Sequence, residues 1–464
     1  MKAATPAGAT GQRSRRGLFG LLVADGISIF GSRMSFLAVP WFVLITTGSA
    51  GQTGIVAFAE MAPYVLVQGF GGPLVDRLGA WRVSIGTDLV AAAAVGIVPL
   101  LYAADHLSFG VLCGLVALAG AVRGAGDSSR YVMVPGVTEH AAMAMERGAG
   151  LHDGVNRLAG MLGAPSAGLL IAGFSAPSVL AIDALTFLVS AVLVATLVPR
   201  SAAPSHAPAP TAGDEGAQLN TTQPVGYVAQ LREGFAHLRA DRLLLGIGVM
   251  VLVTNLLDQA AGSVLQPVWA KEVSGSPVTL GVLLGVFGVG AVAGNAVLTW
   301  LSPRLPRRRT YAWCFLLGGS PRLFAMAAFS TVSPLLPIFF LGGFGAGGIN
   351  PILGAVEYER VPRHLQARVL GALGAMAWAG IPIGALAGGF GVEHLGLRPA
   401  LLVAAIAYLA ATLAPFVFPA WRGMDRAPVV DGPGSATEGR RAPGAAGSAT
   451  PATEDSQCVS VSGH

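Results

Sequence analysis

An all-helical membrane protein of twelve spanning helices, arranged as two related halves of six, is the fold that three observations predict. The chain is 53% hydrophobic and only 11% charged, with a mean hydropathy of +0.64, whereas a soluble domain carries about 25% charged residues. Its apolar residues gather into runs of about 20, the length that crosses a bilayer as a helix. Its basic residues fall in alternate gaps between those runs, the pattern the positive-inside rule requires of a correct span count.

The first run, residues 18–46, follows Arg13, Arg15 and Arg16. It exceeds the 7–15 residues of a signal-peptide core and no A-x-A-like cleavage site follows, so it reads as a retained helix. Five more spans are expected at 53–74, 83–104, 108–131, 154–174 and 177–198. The second set falls at 243–269, 278–301, 310–331, 334–355, 369–392 and 398–419. The basic gaps hold Arg77 and Arg82, Arg147, the arginines of the central segment, Arg304 with Arg307 to Arg309, Arg360, Arg363 and Arg368, then Arg422 and Arg426. The opposite gaps hold only Lys271 and Arg398. Both termini are therefore expected in the cytoplasm of a cell-membrane protein.

Five segments follow: a cytoplasmic N-terminal piece (1–17), a six-helix bundle (18–198), a cytoplasmic linker (199–242), a second bundle (243–419) and a cytoplasmic tail (420–464). The linker contains SAAPSHAPAPTAGDEGAQLNTTQP, too rich in Pro, Ala and Thr to bury a core. It closes on GYVAQLREGFAHLRADR, read as a short amphipathic helix at the interface. The tail GPGSATEGRRAPGAAGSATPATEDSQ has the same disordered composition.

The halves repeat in register. DRLGAWR (Asp76 to Arg82) lies between spans 2 and 3, and PRLPRRR (Pro303 to Arg309) between spans 8 and 9. GAPSAG in span 5, with Gly163, Pro165 and Gly168, has a counterpart in GIPIG (Gly380 to Gly384) of span 11, each giving a small-residue face that admits close helix contact. Two related six-helix halves are how secondary transporters are built, with the substrate between them near mid-bilayer.

Polar residues within spans are costly and face a cavity or a partner. On span 1, Asp25, Ser28, Ser32 and Ser35 keep to one helical face, flanked by Arg33. On span 7, Asn255, Asp258, Gln259, Ser263 and Gln266 form a second stripe. Both stripes suit a substrate cavity; the alternative is hydrogen bonding between buried helices. Asp258 and Glu60 are the leading proton-carrying carboxylates and Asp25 the third, because desolvation lets a carboxylate load and release protons near neutrality. Arg123, Asp127 and Arg130 share a face of span 4 and are expected to pair with one another. Asp88 and Asp183 are expected to be structural, Asp183 in the outer third of span 6 with no polar stripe beside it. Arg322 in span 9 joins the cavity candidates and needs an acidic partner that the sequence does not identify.

GGPLVDRLGAWRV, with Gly72, Asp76, Arg77, Gly79 and Arg82, resembles the loop 2–3 signature of the major facilitator superfamily, G-x-L-x-D-R-x-G followed by basic residues. Ala80 and Trp81 stand where that family usually has two of those bases. GAPSAG is similar to the family's span 5 exporter motif, here Gly-Ala-Pro in place of Gly-Pro. Arg123, followed by Gly124, Ala125 and Gly126, is similar to its span 4 arginine. LAIDALTFLVSAVL and GGINPILGAVEYERVP resemble the macrolide-efflux and enterobactin-exporter-like branch, whose members are drug:proton antiporters. The resemblance implies that Asp76 caps the start of span 11, that Asp127 is the acidic partner of the loop arginines, and that such contacts, made only in the outward-open state, latch that state of a rocking carrier.

Proton-driven efflux of a drug or amphipathic natural product is thus the expected activity. A proton-coupled metabolite importer is the alternative, and a non-transport membrane protein a remoter one. An ATP-driven pump is excluded because neither Lys2 nor Lys271 lies in a G-x-x-x-x-G-K-[ST] loop. Enzyme chemistry is not expected: the eight histidines are scattered, no Cys pair has metal-ligand spacing, and no G-x-S-x-G occurs. The expected partners are the lipid bilayer, a small molecule and protons, acting on a monomer, with no metal, cofactor or nucleic acid.

Overall fold

A computed structural model describes residues 15–200, 227–301, 304–362 and 365–425, all helix and connecting turn. Arg13, most of the 199–242 linker, Pro303, Arg363 and the tail beyond 425 lie outside the described residues. The N-terminal half contains α1 (Arg16–Thr47), α2 (Ala50–Phe70), the short α3 (Gly72–Leu78), α4 (Ala80–Ala103), α5 (Phe109–His140), α6 (Met145–Gly173) and α7 (Ala176–Leu197). After α8 (Tyr227–Ala240), the second half contains α9 (Arg242–Ala260), a π-helical turn (Ala261–Leu265), α10 (Gln266–Ser274), α11 (Pro277–Leu301), α12 (Arg307–Gly318), α13 (Ser320–Ala328), α14 (Leu335–Arg360), α15 (Gln366–Leu395), α16 (Leu397–Thr412) and α17 (Ala414–Val417).

Among the described residues ten helical runs are long and apolar enough to cross a membrane, by length and composition. The other two expected spans are occupied differently. Predicted span 5 is α6, which begins at Met145 with the polar stretch ERGAGLHDGVNR and is not among the ten. Predicted span 9 is broken at Gly319 between α12 and α13. Tyr408 of α16 fills the break: a Cβ on Gly319 would lie 1.8 Å from its ring. Pro321 opens α13 at a position where a missing backbone N–H costs nothing.

Helix starts follow local chemistry. Ser49, Ser108, Ser175 and Asp241 each accept a backbone N–H of the helix they cap. Gly79 turns the chain from α3 into α4 at φ +85°, a conformation that L side chains resist, which accounts for the glycine of DRLGAWR. The expected amphipathic helix is α8; it lies on the start of α15, where Gly234 meets the Arg368 backbone and Leu238 is fully buried.

The halves meet along two glycine contacts. Gly54 of α2 lies against Gly389 of α15, and Gly168 of α6 against Gly281 of α11; a Cβ on either Gly54 or Gly168 would sit 3.0 Å from the partner's Cα. Lys271 Nζ donates to the Leu44 carbonyl at 2.8 Å at the same end. That end is closed. The outer faces are apolar, with Leu100, Leu169, Val192, Val403 and Ile406 exposed where acyl chains would cover them.

Candidate functional site: a cavity between the halves

A cavity of about 620 Å³ lies between the halves, on the side away from those glycine contacts. The volume is in the range that holds a drug-sized molecule. Asp25, Ser32, Arg33 and Phe36 reach it from α1, Met61, Tyr64 and Gln68 from α2, Arg123, Asp127 and Tyr131 from α5, His152 and Asn156 from α6, Gln259 from α9, and Trp378 and Ile381 from α15. Tyr131, 74% exposed, marks its mouth toward the arginine-bearing loops. Acid, base and aromatic faces alternate around it. Tyr64 donates to Asp127 Oδ2 at 3.0 Å, lies 5.6 Å beneath the Arg123 guanidinium and packs on Trp378 across the interface.

The expected stripe on α1 divides between cavity and core. Ser32 and Arg33 line the cavity, and Asp25 reaches both. Ser28 turns inward to Arg130, and Ser35 donates to Asp183. Arg130, 2% exposed, gathers Asp25 at 3.4 Å, Asp88, Ser28 at 3.0 Å and Ser190 at 3.0 Å, while His152 Nε2 lies 3.1 Å from Asp25. Asp25 and Asp88 thus share one deeply enclosed cation, which balances only one of their two charges when both are ionised.

The stripe on α9 does not survive as a single cavity face. Gln259 lines the cavity, but Asn255 donates to the Ala377 carbonyl and Ser263 to the Gln259 carbonyl, and Gln266 is buried. Asp258 turns the other way, to Arg322 of α13 and Tyr408 of α16. An angle of about 100° per residue separates Asp258 from Gln259, and the π-helical turn that follows rotates Ser263 and Gln266 again. Arg322 therefore has its acid but lies off the cavity. That partner is Asp258.

Two further expectations are corrected. Arg123, Asp127 and Arg130 do not pair together: Arg123 Nη1 donates to Glu60 Oε1 at 2.6 Å, Arg130 serves Asp25 and Asp88, and Asp127 takes the Tyr64 hydroxyl, because helix–helix packing offers each a closer partner than its own helix does. Asp183 is not isolated: it is 1% exposed and holds Ser35 and Thr186. The loop contacts implied for an outward-open state are not made here: Asp76, Arg77 and Arg82 are exposed, and Asp76 has no hydrogen bond or ion pair among the described residues. Asp127 lies at the cavity rather than beside them, and α8 and Gln366, which donates to the Val361 carbonyl, cover the start of α15.

Of the span 5 motif, Gly163 packs on Arg33, the Pro165 carbonyl and Gly168 approach Gly281, and all three serve helix contact. Tyr64, Gln68, His152 and Asn156 are cavity residues that the sequence reading missed. His152 falls before the expected start of span 5 and Asn156 two residues into it, within a polar stretch that hides both from hydropathy; Gln68 was readable as a polar residue late in span 2.

The arginine-bearing end of the second half is tied together. Asp241 accepts from Arg360 and from two backbone N–H groups of α9, and Arg307 grips Glu359. Although partial burial pushes the Asp241 carboxyl up, the Arg360 hydrogen bond and charge with those N–H groups hold it below the usual carboxylate range.

The family model described as the Major Facilitator Superfamily matches residues 21–261 and 247–449. The multidrug efflux pump Tap of Mycobacterium tuberculosis is 31% identical over 425 residues, covering 90% of this chain and 98% of that protein. Macrolide efflux protein A of Streptococcus pyogenes is 21% identical over 82% of this chain and 92% of its own length. The crystal structure of the nucleoside transporter NupG superposes with a TM-score of 0.65 at 12% identity, covering 86% of this chain and 99% of that one, a likeness of fold.

Proposed function

The chain belongs to the major facilitator superfamily, and we propose that it is the proton-driven member of a drug-efflux branch, exporting amphipathic compounds across the cell membrane as a monomer. Efflux of drugs by a non-enzymatic, multi-pass carrier is the activity its relatives carry. One observation carries the finer reading. The cavity between the halves combines Tyr64, Tyr131 and Trp378 with Asp25, Asp127, Arg33 and Arg123, so it offers apolar area and both signs of charge to a compound that has both.

The positive-inside rule puts the arginine-bearing end, and with it the mouth of the cavity, in the cytoplasm along with both termini. This is the loading state of an exporter. Closing the mouth brings the exposed loop at Gly72, Asp76, Arg77, Gly79 and Arg82 onto the second half, which supports its role as a gate engaged only in the opposite state. Buried carboxylates beside the cavity supply the coupling. About 2.3 kcal/mol per charge per 100 mV sustains roughly a 50-fold gradient per proton. Of the three carboxylates read as proton carriers, Asp258 is matched one-to-one with Arg322 away from the cavity, which favours the N-terminal half, where Asp25 lines the cavity and Glu60 meets it through Arg123.

Expression in an efflux-deficient bacterial host, with a panel of macrolides, tetracyclines and lipophilic cations, tests this. Raised resistance to at least one class, abolished by a protonophore, is expected. No change in susceptibility, or resistance insensitive to the protonophore, defeats the corresponding part of the reading.

A further inference from the structure

A second cavity, of about 20 Å³, lies wholly within the N-terminal half. Its walls are apolar, from Val95, Val98, Val116 and Leu180 among others, except for Ser35, Glu60, Arg123 and Asp183. Such a space suffices for about one water. Glu60 is 5% exposed and Asp183 1%. Arg123 is bonded to Glu60, whereas Asp183 has only the hydroxyls of Ser35 and Thr186. Two carboxylates and one cation therefore face one water-sized space.

The surroundings supply no second counter-charge there. From α1 comes Ser35; from α4 only aliphatic groups line the space; from α5 comes Arg123; from α7, Asp183. Arg33, Asp25 and Asp127 face the large cavity instead, and Arg130 is held by Asp25 and Asp88. With both carboxylates ionised, a net negative charge would sit among aliphatic walls, at a cost that a single bound proton removes.

We propose that Glu60 and Asp183 share one proton across this small cavity and form the proton-carrying dyad of the transporter. The proposal rests on the reading of the protein as a proton-driven exporter. Arg123 lines both cavities and so connects the two loads. With the dyad protonated, Arg123 is less strongly held by Glu60 and leans toward Asp127 in the substrate cavity. A cationic group arriving at Asp127 and Tyr64 drives Arg123 back to the dyad, both carboxylates ionise, and the proton leaves. No bond other than O–H is made or broken. Uptake of one substrate cation from the cytoplasm thereby releases one proton to it, the exchange an antiporter needs.

The test requires no substrate. Difference infrared spectra of the full-length protein in lipid, titrated with pH, report the carbonyl stretch of protonated carboxylic acids. The wild type is expected to show a component that disappears with rising pH, and Glu60→Gln and Asp183→Asn are each expected to remove it, because either leaves one carboxylate for one arginine. Arg123→Gln is expected to enlarge it about twofold, since two acids then lack a cation. Ser35→Ala, a mild change that keeps every charge, removes a donor to ionised Asp183 and is expected to move the titration to higher pH. A component that persists in either single carboxylate variant, or that does not move in Ser35→Ala, overturns the dyad. Erythromycin export with and without a protonophore is measured in parallel on the wild type: loss of proton dependence there overturns the functional reading, independently of the spectra.

Discussion

The two halves hold their buried charges in opposite ways. In the N-terminal half Arg130 is wrapped by Asp25, Asp88, Ser28 and Ser190 at 2% exposure, and Arg123 stands between Glu60 and the space it shares with Asp183. Acids outnumber arginines at both centres. In the C-terminal half the intramembrane Asp258 is matched by Arg322 and supported by Tyr408 through the break at Gly319, with its side chain 40% exposed, and the half-buried acid without an ion pair among the described residues, Glu357, lies near the arginine-bearing end. A matched pair has no use for a proton, whereas an unmatched acid does. On the proposed proton-driven reading, the half with surplus acid would carry the proton chemistry and the other half would serve as the frame it rocks against. At the arginine-bearing end the contrast reverses, since the loop after α2 is free and Asp241, Arg360, Arg307 and Glu359 are tied.

The largest effect is expected from Arg130→Met. It strands Asp25 and Asp88 in the core, and breaking a buried charge cluster costs about 3–5 kcal/mol. Yield and thermal unfolding in detergent should collapse, and adding Asp88→Asn should recover part of the loss. If Arg130→Met unfolds at the wild-type temperature, the N-terminal half is not organised around this cation.

A smaller loss, about 2 kcal/mol, is expected from Asp258→Asn, because a charge-assisted hydrogen bond is removed at a site that water partly reaches. Proton-coupled export should persist in this variant if the second half is only a frame. Abolished coupling with intact downhill exchange would move the proton site to α9 and erase the contrast.

The smallest effects compare the two loops. Asp241→Ala removes a helix cap and the Arg360 contact and should cost about 1–2 kcal/mol. Its carboxyl is depressed in the folded protein, so that contribution is full above the ordinary carboxylate range near pH 4 and fades as pH falls through the lowered value. Asp76→Ala should change stability by less than about 0.5 kcal/mol while reducing transport if, as proposed, its partner is met only in the other state. Thermal unfolding at pH 7 and pH 3.5, with efflux assays beside it, reads both; a stability loss on Asp76→Ala would mean that the loop is already engaged.

Composition, the spacing of apolar runs and the alternation of arginines determined by themselves that this chain is a helical membrane carrier with a repeat, since the bilayer demands internally satisfied helices of one length and leaves little else to choose. The loop glycine Gly79, the small-residue faces at Gly163 and Gly168, and the costly polar groups Asp25, Glu60 and Asp258 were legible for the same local reason. Pairing was not. Periodicity says which residues share a helix face but not which helix that face meets, so Arg123, Asp127 and Arg130 could be grouped along α5 when packing sends them to α2, α1 and α4. Hydropathy likewise hid His152 and Asn156 in the polar start of α6 and gave no warning of the π-helical turn that carries Ser263 and Gln266 off the cavity face. Tertiary structure alone decided which acid meets which base, because a buried charge is stabilised by what lies within about 4 Å in space, whatever its distance along the chain.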